Sequence, residues 1–592
     1  MSLMLRGHPV APGIVIGRIH LAERNELEIG EYRITAEDVE NEIQRYRNAV
    51  DAARDQLLEL ADRIDPEVAV PAVEIIQSHV LMLGDSKIRK STEIHIRHEL
   101  CNAEWALQSQ LEQVLSEFRS MDDEYIQTRG EDVTQVVRLI QSKLSDEAAS
   151  KPFGNIPDRL AETLVVAVEL TPAELALLHE RGVAGIVTEH GGPHSHTAIL
   201  ASSLGIPAVL GVTGARTQLK EDSLLILDGG MGLVYSDPDT DTLERYRKLQ
   251  QEALAFRESL NTLRDDPAVS LDEIPISLQA NAERSGELKQ SIEMGAQAIG
   301  LYRTEFLYLQ DALPDEGAQL ARYVSALKML NGMPLTIRTL DLGADKPVET
   351  SAFSEARRST NPALGLRAIR LCLLDTELFK TQLRAILRAS AVGPVRCLIP
   401  MVTSVQEVKQ VHELLAEARQ ELDEREQPYD PNMPLGAMIE VPAAAMAIRD
   451  FGSQLDFIAV GTNDLLQYTL AADRGDEQVA HLYDFQHPGV VRLLRYILKG
   501  AKRLQIPACV CGEIAGDQRF TRLLLAMGLR EFSMHPARLL EVKKVVRETN
   551  ISSARAVFLN WLDNPSAAPD IPLIELIDQS QTISSAPADL KS

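Results

Sequence analysis

With 592 residues, 45% of them hydrophobic and 25% charged, the chain has the make-up of globular protein and the length for three or four domains. A net charge of −26 argues against nucleic acid or an anionic membrane as the main partner, although a local cluster of arginines can still hold a small anion. Five scattered cysteines suit a reducing compartment better than a disulfide framework, and no apolar run approaches bilayer length, so a cytoplasmic protein without signal peptide or membrane insertion is expected.

In chain order, residues 8–22 (HPVAPGIVIGRIHLA) read as short strands broken by Gly and Pro turns. Thr35 with Asp38 reads as a capping box. After it, Val39, Ile43, Tyr46, Val50, Ala53, Leu57 and Leu60 recur at alternating spacings of four and three, the seam of a helical hairpin or bundle. Helical patterning continues through residues 70–146, and from about residue 160 the texture turns to α/β; the domain division expected, with the family resemblance given below, is a helical bundle 31–147 inserted into an α/β domain of 1–30 and 148–238. In that domain LVVAVEL, GVAGIVTE, PAVLG and LLILDGG read as strands with helices between them. Residues 240–264 read as one charged amphipathic helix, within a linker spanning 239–268.

Residues 269–563 show eight strand-like segments separated by helical stretches: PISLQAN, AIGLY, LTIRTL, VRCLIPMV, LGAMIE, FIAVG, PACVC and EFSM. That is the arithmetic of a (β/α)8 barrel, in which chemistry sits on the loops after the strands. The tail, 564–592, is rich in Ala, Pro and Ser and is expected to be loosely held. The fold class expected is multidomain α/β, with the helical insertion first and the barrel last.

Two groups of residues carry chemistry. In GGPHSHTAILA (191–201), Gly191-Gly192 reads as a tight turn and HTAILASSL as a helix with Ser195 near its N-cap. His196 then stands in the first helical turn, where free N–H groups and the positive end of the dipole favour an anion such as a phosphoryl group on the ring. His190 and His194 are close in sequence but lack that context. The second group lies at strand ends. Arg303 and Arg338 suit bidentate recognition of phosphate or carboxylate. Glu440 and Asp464, with Asn463 beside the latter, offer the two carboxylates that Mg2+ commonly uses together with substrate oxygens. Arg474 lies within reach of the same loop, and Cys511 in a Cys-Gly-Glu turn could donate a proton.

In this order, the motifs GG-x-x-SHT, LYRTEFL, RTLDLGADK, NPALGLRAIR, IEVPAA, GTNDLLQYTLAADR and CGEIAGD are highly specific. Over roughly residues 5–560 the chain resembles Enzyme I of the bacterial phosphotransferase system, the phosphoenolpyruvate–protein phosphotransferases. The resemblance implies a swivelling phosphohistidine domain, a helical domain that docks the small carrier HPr, and a barrel that binds phosphoenolpyruvate and makes a homodimer. It implies that His196 is phosphorylated on Nε2, and that Arg303, Arg338, Asn463, Asp464 and Arg474 hold phosphoenolpyruvate. Glu440 and Asp464 would ligate Mg2+, and Cys511 would protonate the enolate to pyruvate.

Two departures stand out. Pro193-His194 replaces the Arg-Thr usual before Ser-His in the sugar-transport enzymes, and SKIRK (86–90) stands where those enzymes often carry an acidic run. Lys87, Arg89 and Lys90 change the charge offered to a carrier. AEWAL and SHTAILASSLGIPAVLG are similar to the nitrogen-related branch, so HPr and a nitrogen-branch homologue both stay open as acceptor. Pyruvate–phosphate dikinases and phosphoenolpyruvate synthases share the histidine domain and barrel but need a large nucleotide-binding domain before the histidine, with no counterpart here. A regulatory protein that has lost catalysis is opposed by the intact set of site residues.

Overall fold

The computed structural model describes residues 3–22, 30–63, 76, 78–83, 86–119, 124–144, 160–192, 195–308, 313–342, 361, 363–473, 479–564 and 571–584. The chain forms two compact units, residues 1–256 and 257–592. Among the described residues no helix is long and apolar enough to cross a membrane.

The first unit contains an eight-stranded sheet of order β1-β8-β7-β3-β4-β5-β6-β2. Its strands are β1 (Leu3–Arg6), β2 (His8–Ala11), β3 (Ile14–Leu21), β4 (Thr163–Ala167), β5 (Gly185–Thr188), β6 (Ala208–Leu210), β7 (Leu224–Asp228) and β8 (Leu233–Ser236). The neighbours β3 and β4 run parallel although some 140 residues separate them. The helices Val39–Arg63, Ser86–Glu99, Ala103–Arg119 and Glu124–Leu144 fill that interval, as an insertion requires. Val39, Ile43, Tyr46, Val50, Ala53 and Leu57 are all buried, so the seam read from their spacing is the bundle core. The side chain of Leu60 lies outside the described residues, as do those of Lys87 and Arg89, whereas Lys90 is exposed.

The capping box expected at Thr35 and Asp38 does not form. The first helix begins at Val39, and Thr35 Oγ1 donates to Asp38 Oδ2 at 2.6 Å instead of accepting from the backbone. Asp38 carries no γ-methylene with which to reach back as a Glu or Gln would. Two strands escaped the sequence reading, β1 and β8. They pair antiparallel with each other, and β8 also pairs with β7. Both are only four residues long, too short for their alternation of burial to stand out in the sequence, and β1 is an edge strand whose identity depends on its partner.

In the second unit all eight expected strands are present: β9 (Ser277–Ala282), β10 (Ile299–Tyr302), β11 (Leu335–Arg338), β12 (Val395–Ile399), β13 (Leu435–Ile439), β14 (Phe457–Val460), β15 (Ala508–Val510) and β16 (Glu531–Met534). Every neighbouring pair is parallel, and β16 closes on β9. Strands of three to six residues, nearly all buried, need helices covering the outside, and the intervening helices supply them.

The described part of the tail, 571–584, departs from expectation, and residues 565–570 and 585–592 lie outside the described residues. Helix Leu573–Ser584 docks on the barrel's outer layer, with Ile577 fully buried and Leu573 nearly so. Arg522 Nη1 meets Asp578 at 2.8 Å, and Gln581 Oε1 accepts from the backbone N–H of Asn550 at 2.7 Å. The composition of the whole tail masked this apolar seam, which overrides local polarity once a hydrophobic surface is available.

Candidate active site

The histidine segment is built as its residues require. The strand β5 leads to Gly191, whose φ of +112° is a conformation that only glycine adopts without strain. Helix His196–Ser203 follows, with Ser195 at its N-cap accepting from the Ala198 N–H at 3.3 Å. Thr197 is buried and its hydroxyl donates to the Leu170 carbonyl at 2.7 Å, which fixes the first turn against the loop after β4. The backbone of His196 thus opens a helix. Its side chain lies outside the described residues, as do Pro193 and His194. His190 is exposed, and its carbonyl accepts from the Thr188 hydroxyl at 2.5 Å.

In the barrel, the carboxyl ends of five strands deliver the expected residues to one mouth. Arg303 follows β10, Arg338 ends β11, Glu440 follows β13, Asn463 and Asp464 open helix Thr462–Leu470 after β14, and Cys511 follows β15. Arg474 lies outside the described residues.

The β11–β14 side is a chain of largely buried charges. Arg338 Nη2 donates to Glu305 Oε1 and its Nη1 reaches Asp341 Oδ2, both at 2.9 Å. Arg367 donates to Asp341 Oδ1 at 2.8 Å and stands 3.5 Å from Asp464 Oδ2. Burial works against the charge on Arg338, but Glu305, Asp341 and Glu440 outweigh it and hold its pKa up. Burial likewise penalises Asp341, and Arg338 and Arg367 reverse that, so its carboxyl stays below the ordinary range. Glu440 has no such rescue. Burial, then repulsion from Asp341 and Asp464, pushes it up to about 8, although Arg338 and a 2.6 Å hydrogen bond from the Met401 N–H pull the other way. Gly461 makes room for this carboxylate: a Cβ there would lie 2.6 Å from Glu440 Oε2.

This arrangement fits a divalent cation. Among the described residues, Glu283, Glu305, Asp341 and Asp464 outnumber the guanidiniums of Arg303, Arg338 and Arg367 even with Glu440 protonated. A polyanionic substrate would add to the excess, so its binding calls for further positive charge. Among the described residues no group of three or more His, Cys, Asp or Glu could hold a metal by itself. Mg2+ does not need one, because it commonly takes one or two carboxylates, substrate oxygens and water.

The β15–β10 side is different. A cleft of about 600 Å3 opens there, lined by Asn281, Arg303, Asn463, Cys511 and His535 among others. Cys511 is buried beside Leu301, Leu398 and Met438, with its Sγ 3.5 Å from the Val460 carbonyl. Burial first, and the Glu440 carboxylate second, push its thiol up to about 12 against the pull of Arg338 and Arg303, so it keeps its proton. Asn463 is held at both ends of its amide: Nδ2 donates to Glu513 Oε1 at 2.9 Å and Oδ1 accepts from the Glu513 N–H at 3.0 Å. Arg303 is half exposed and bonded to Glu283 at 2.6 Å.

Sequence reasoning missed Asp341 and Arg367 as site members. Both sit inside motifs already singled out, RTLDLGADK and NPALGLRAIR, but only the closed barrel joins Asp341 after β11 to Arg367 before helix Ala368–Leu374, and Arg367 in turn to Asp464.

Three sequence families match in chain order: PEP-utilising enzyme, N-terminal (residues 6–129), PEP-utilising enzyme, mobile domain (160–232), and PEP-utilising enzyme, PEP-binding domain (257–551). Similar proteins include the phosphoenolpyruvate-protein phosphotransferase of Cupriavidus necator, 42% identical over 92% of this chain and 94% of that protein. The protein of the same name from Listeria innocua is 34% identical over 97% of this chain and 99% of its own length. That of Bacillus subtilis is 34% identical over 93% and 95%.

Proposed function

The chain belongs to the phosphoenolpyruvate-protein phosphotransferase family, and from that premise we propose that it moves the phosphoryl group of phosphoenolpyruvate to Nε2 of its own His196 and then to a histidine of a small carrier protein, releasing pyruvate as the first step of a bacterial phosphotransferase system. The observation that carries this reading is the barrel mouth, where the guanidiniums of Arg303 and Arg338, the carboxyl groups of Glu440 and Asp464, the Asn463 amide and a protonated thiol converge from five strand ends.

Arg303, Arg338, Asn463, Asp464 and Arg474 bind and orient the donor, the arginines facing its anionic oxygens. Glu440 and Asp464 would hold Mg2+, which would supply positive charge against the oxygens of the departing phosphoryl group. Asn463, clamped by Glu513, presents a fixed amide to the donor. Cys511 carries a proton that its surroundings keep in place, and delivers it to the methylene carbon of the enolate to give pyruvate. His196, in the first turn behind Ser195 and Thr197, accepts the phosphoryl group where the helix dipole favours negative charge. The acceptor is HPr or a nitrogen-branch homologue docking on the helical bundle. The histidine domain swings between barrel and carrier, the barrel forms a homodimer, and the reaction is cytoplasmic.

The test is incubation of the purified chain with labelled phosphoenolpyruvate and Mg2+, without ATP. Acid-labile label should map to His196, be absent from His196→Ala with its melting temperature unchanged, and pass to an added carrier. Label on His190 or His194, or a requirement for ATP, would overturn the reading. Parallel assays with HPr and with a nitrogen-branch carrier decide between acceptors.

A further inference from the structure

The mechanism above leaves His535 unused, although it shares the cleft with Arg303, Asn463 and Cys511. Its position follows from strand register. On β15 and β16, Val510 stands beside Phe532, so Cys511 is level with Ser533 and His535 lies two residues further toward the mouth, about 7 Å along the strand. His535 caps the short turn Pro536–Arg538, and its Nδ1 accepts from the Ala537 N–H at 3.3 Å. With Nδ1 occupied as an acceptor, a neutral ring must carry its proton on Nε2.

The ionisable neighbours in the cleft are spoken for. Arg303 is bonded to Glu283 at 2.6 Å, Arg519 to Asp517 at 2.5 Å and Arg538 to Glu541 at 3.1 Å. Glu513 is engaged by Asn463, and Glu287 accepts from the Glu283 N–H at 2.6 Å. Among the described residues, no protein group meets the Nε2–H of His535. It is an exposed donor held by a backbone bond at the rim of a cleft whose floor carries the reacting residues.

We propose that His535 is a further substrate-binding residue, whose Nε2–H donates a hydrogen bond to an anionic oxygen of the phosphorylated carboxylate in the cleft. The inference rests on the reaction proposed above. A neutral donor suits this wall of the cleft. It adds direction without a second guanidinium that the surrounding carboxylates would sequester, as they do Arg519 and Arg538.

Steady-state kinetics with phosphoenolpyruvate and Mg2+ test it on three variants of the full chain. His535→Ala removes ring and cap, His535→Ser keeps a cap acceptor without the N–H, and His535→Gln restores a side-chain N–H of similar reach. KM for phosphoenolpyruvate should rise about tenfold in the Ala and Ser variants, with kcat within about threefold, and recover at least halfway on a logarithmic scale in the Gln variant. Melting temperature of the Ser variant should match the wild type. An unchanged KM in His535→Ala, a wild-type KM in His535→Ser, or a loss confined to kcat would overturn the assignment. Saturating donor should still label His196 in all three variants. Failure of the wild-type chain to label would instead sink the underlying reaction.

Discussion

The two sides of the barrel mouth use burial in opposite ways. On the β11–β14 side, Glu305, Arg338, Asp341, Arg367 and Asp464 form a continuous ionic chain in which each group touches one of opposite charge, and Glu440 has no ion-pair contact of its own among the described residues. On the β15–β10 side the cleft is open, its charges are paired near the surface, and the Cys511 thiol is deeply buried. The same desolvation raises both Glu440 and Cys511. For the carboxyl it is a defect that a cation would repair. For the thiol it preserves the proton that the proposed reaction would use. Strand ends of one barrel thus supply two different environments, one that pairs buried charges and one that keeps a thiol protonated.

The comparison breaks if the ionic side proves dispensable. Glu440→Gln or Asp464→Asn should lower turnover at least a hundredfold, about 2.7 kcal/mol of barrier, and abolish its dependence on Mg2+. Undiminished turnover in the presence of a chelator would remove the metal from this side. On the other side, Cys511→Ser should reduce kcat by roughly tenfold or more while the donor's dissociation constant stays within about twofold, because a proton donor acts in the transition state. Deuterium entering the methyl group of pyruvate should then show less facial selectivity than in the wild type, and unchanged selectivity would point to another acid.

Smaller effects sharpen the contrast. Glu440 is raised in the folded state from 4.5 to about 8, so the metal-free fold binds more protons than the unfolded chain across that interval. Its stabilising effect is complete below pH 4.5 and lost as pH rises through 8, at most on the order of a few kcal/mol. Melting temperature without metal should therefore carry a downward component from pH 5 to 8 that Glu440→Gln abolishes and Mg2+ diminishes. Identical pH profiles for wild type and variant would refute the shift. Finally, Gly461→Ala should weaken the apparent affinity for Mg2+ several-fold, since the new methyl group crowds Glu440 Oε2 at 2.6 Å, and leave turnover at saturating metal within about threefold. Equal metal titrations would show that the carboxylate has room to move.

The sequence made a large share of this legible. All eight barrel strands could be read because each is a short, largely buried apolar run bounded by Gly, Pro or polar residues. The helix carrying His196 could be read because its cap and turn residues act on their immediate neighbours. The bundle seam from Val39 to Leu57 followed from spacing alone. By contrast, β1 and β8 are defined by whom they pair with, and the helix Leu573–Ser584 by the surface it covers, so neither showed in so short or so polar a stretch.

What the sequence by itself determined, then, is the order of the elements and which polar residues end them, because backbone propensity, capping and hydrophobic period act over a few residues. Only the tertiary structure decided that Asp341 joins Arg338 to Arg367, that Arg367 reaches Asp464, and that Glu440 and Cys511 are both driven toward their protonated forms. These are consequences of barrel closure, which sets distances between residues far apart in the chain and removes them from water. Charge interactions and desolvation depend on those distances and that burial, neither of which is written in any short stretch of sequence.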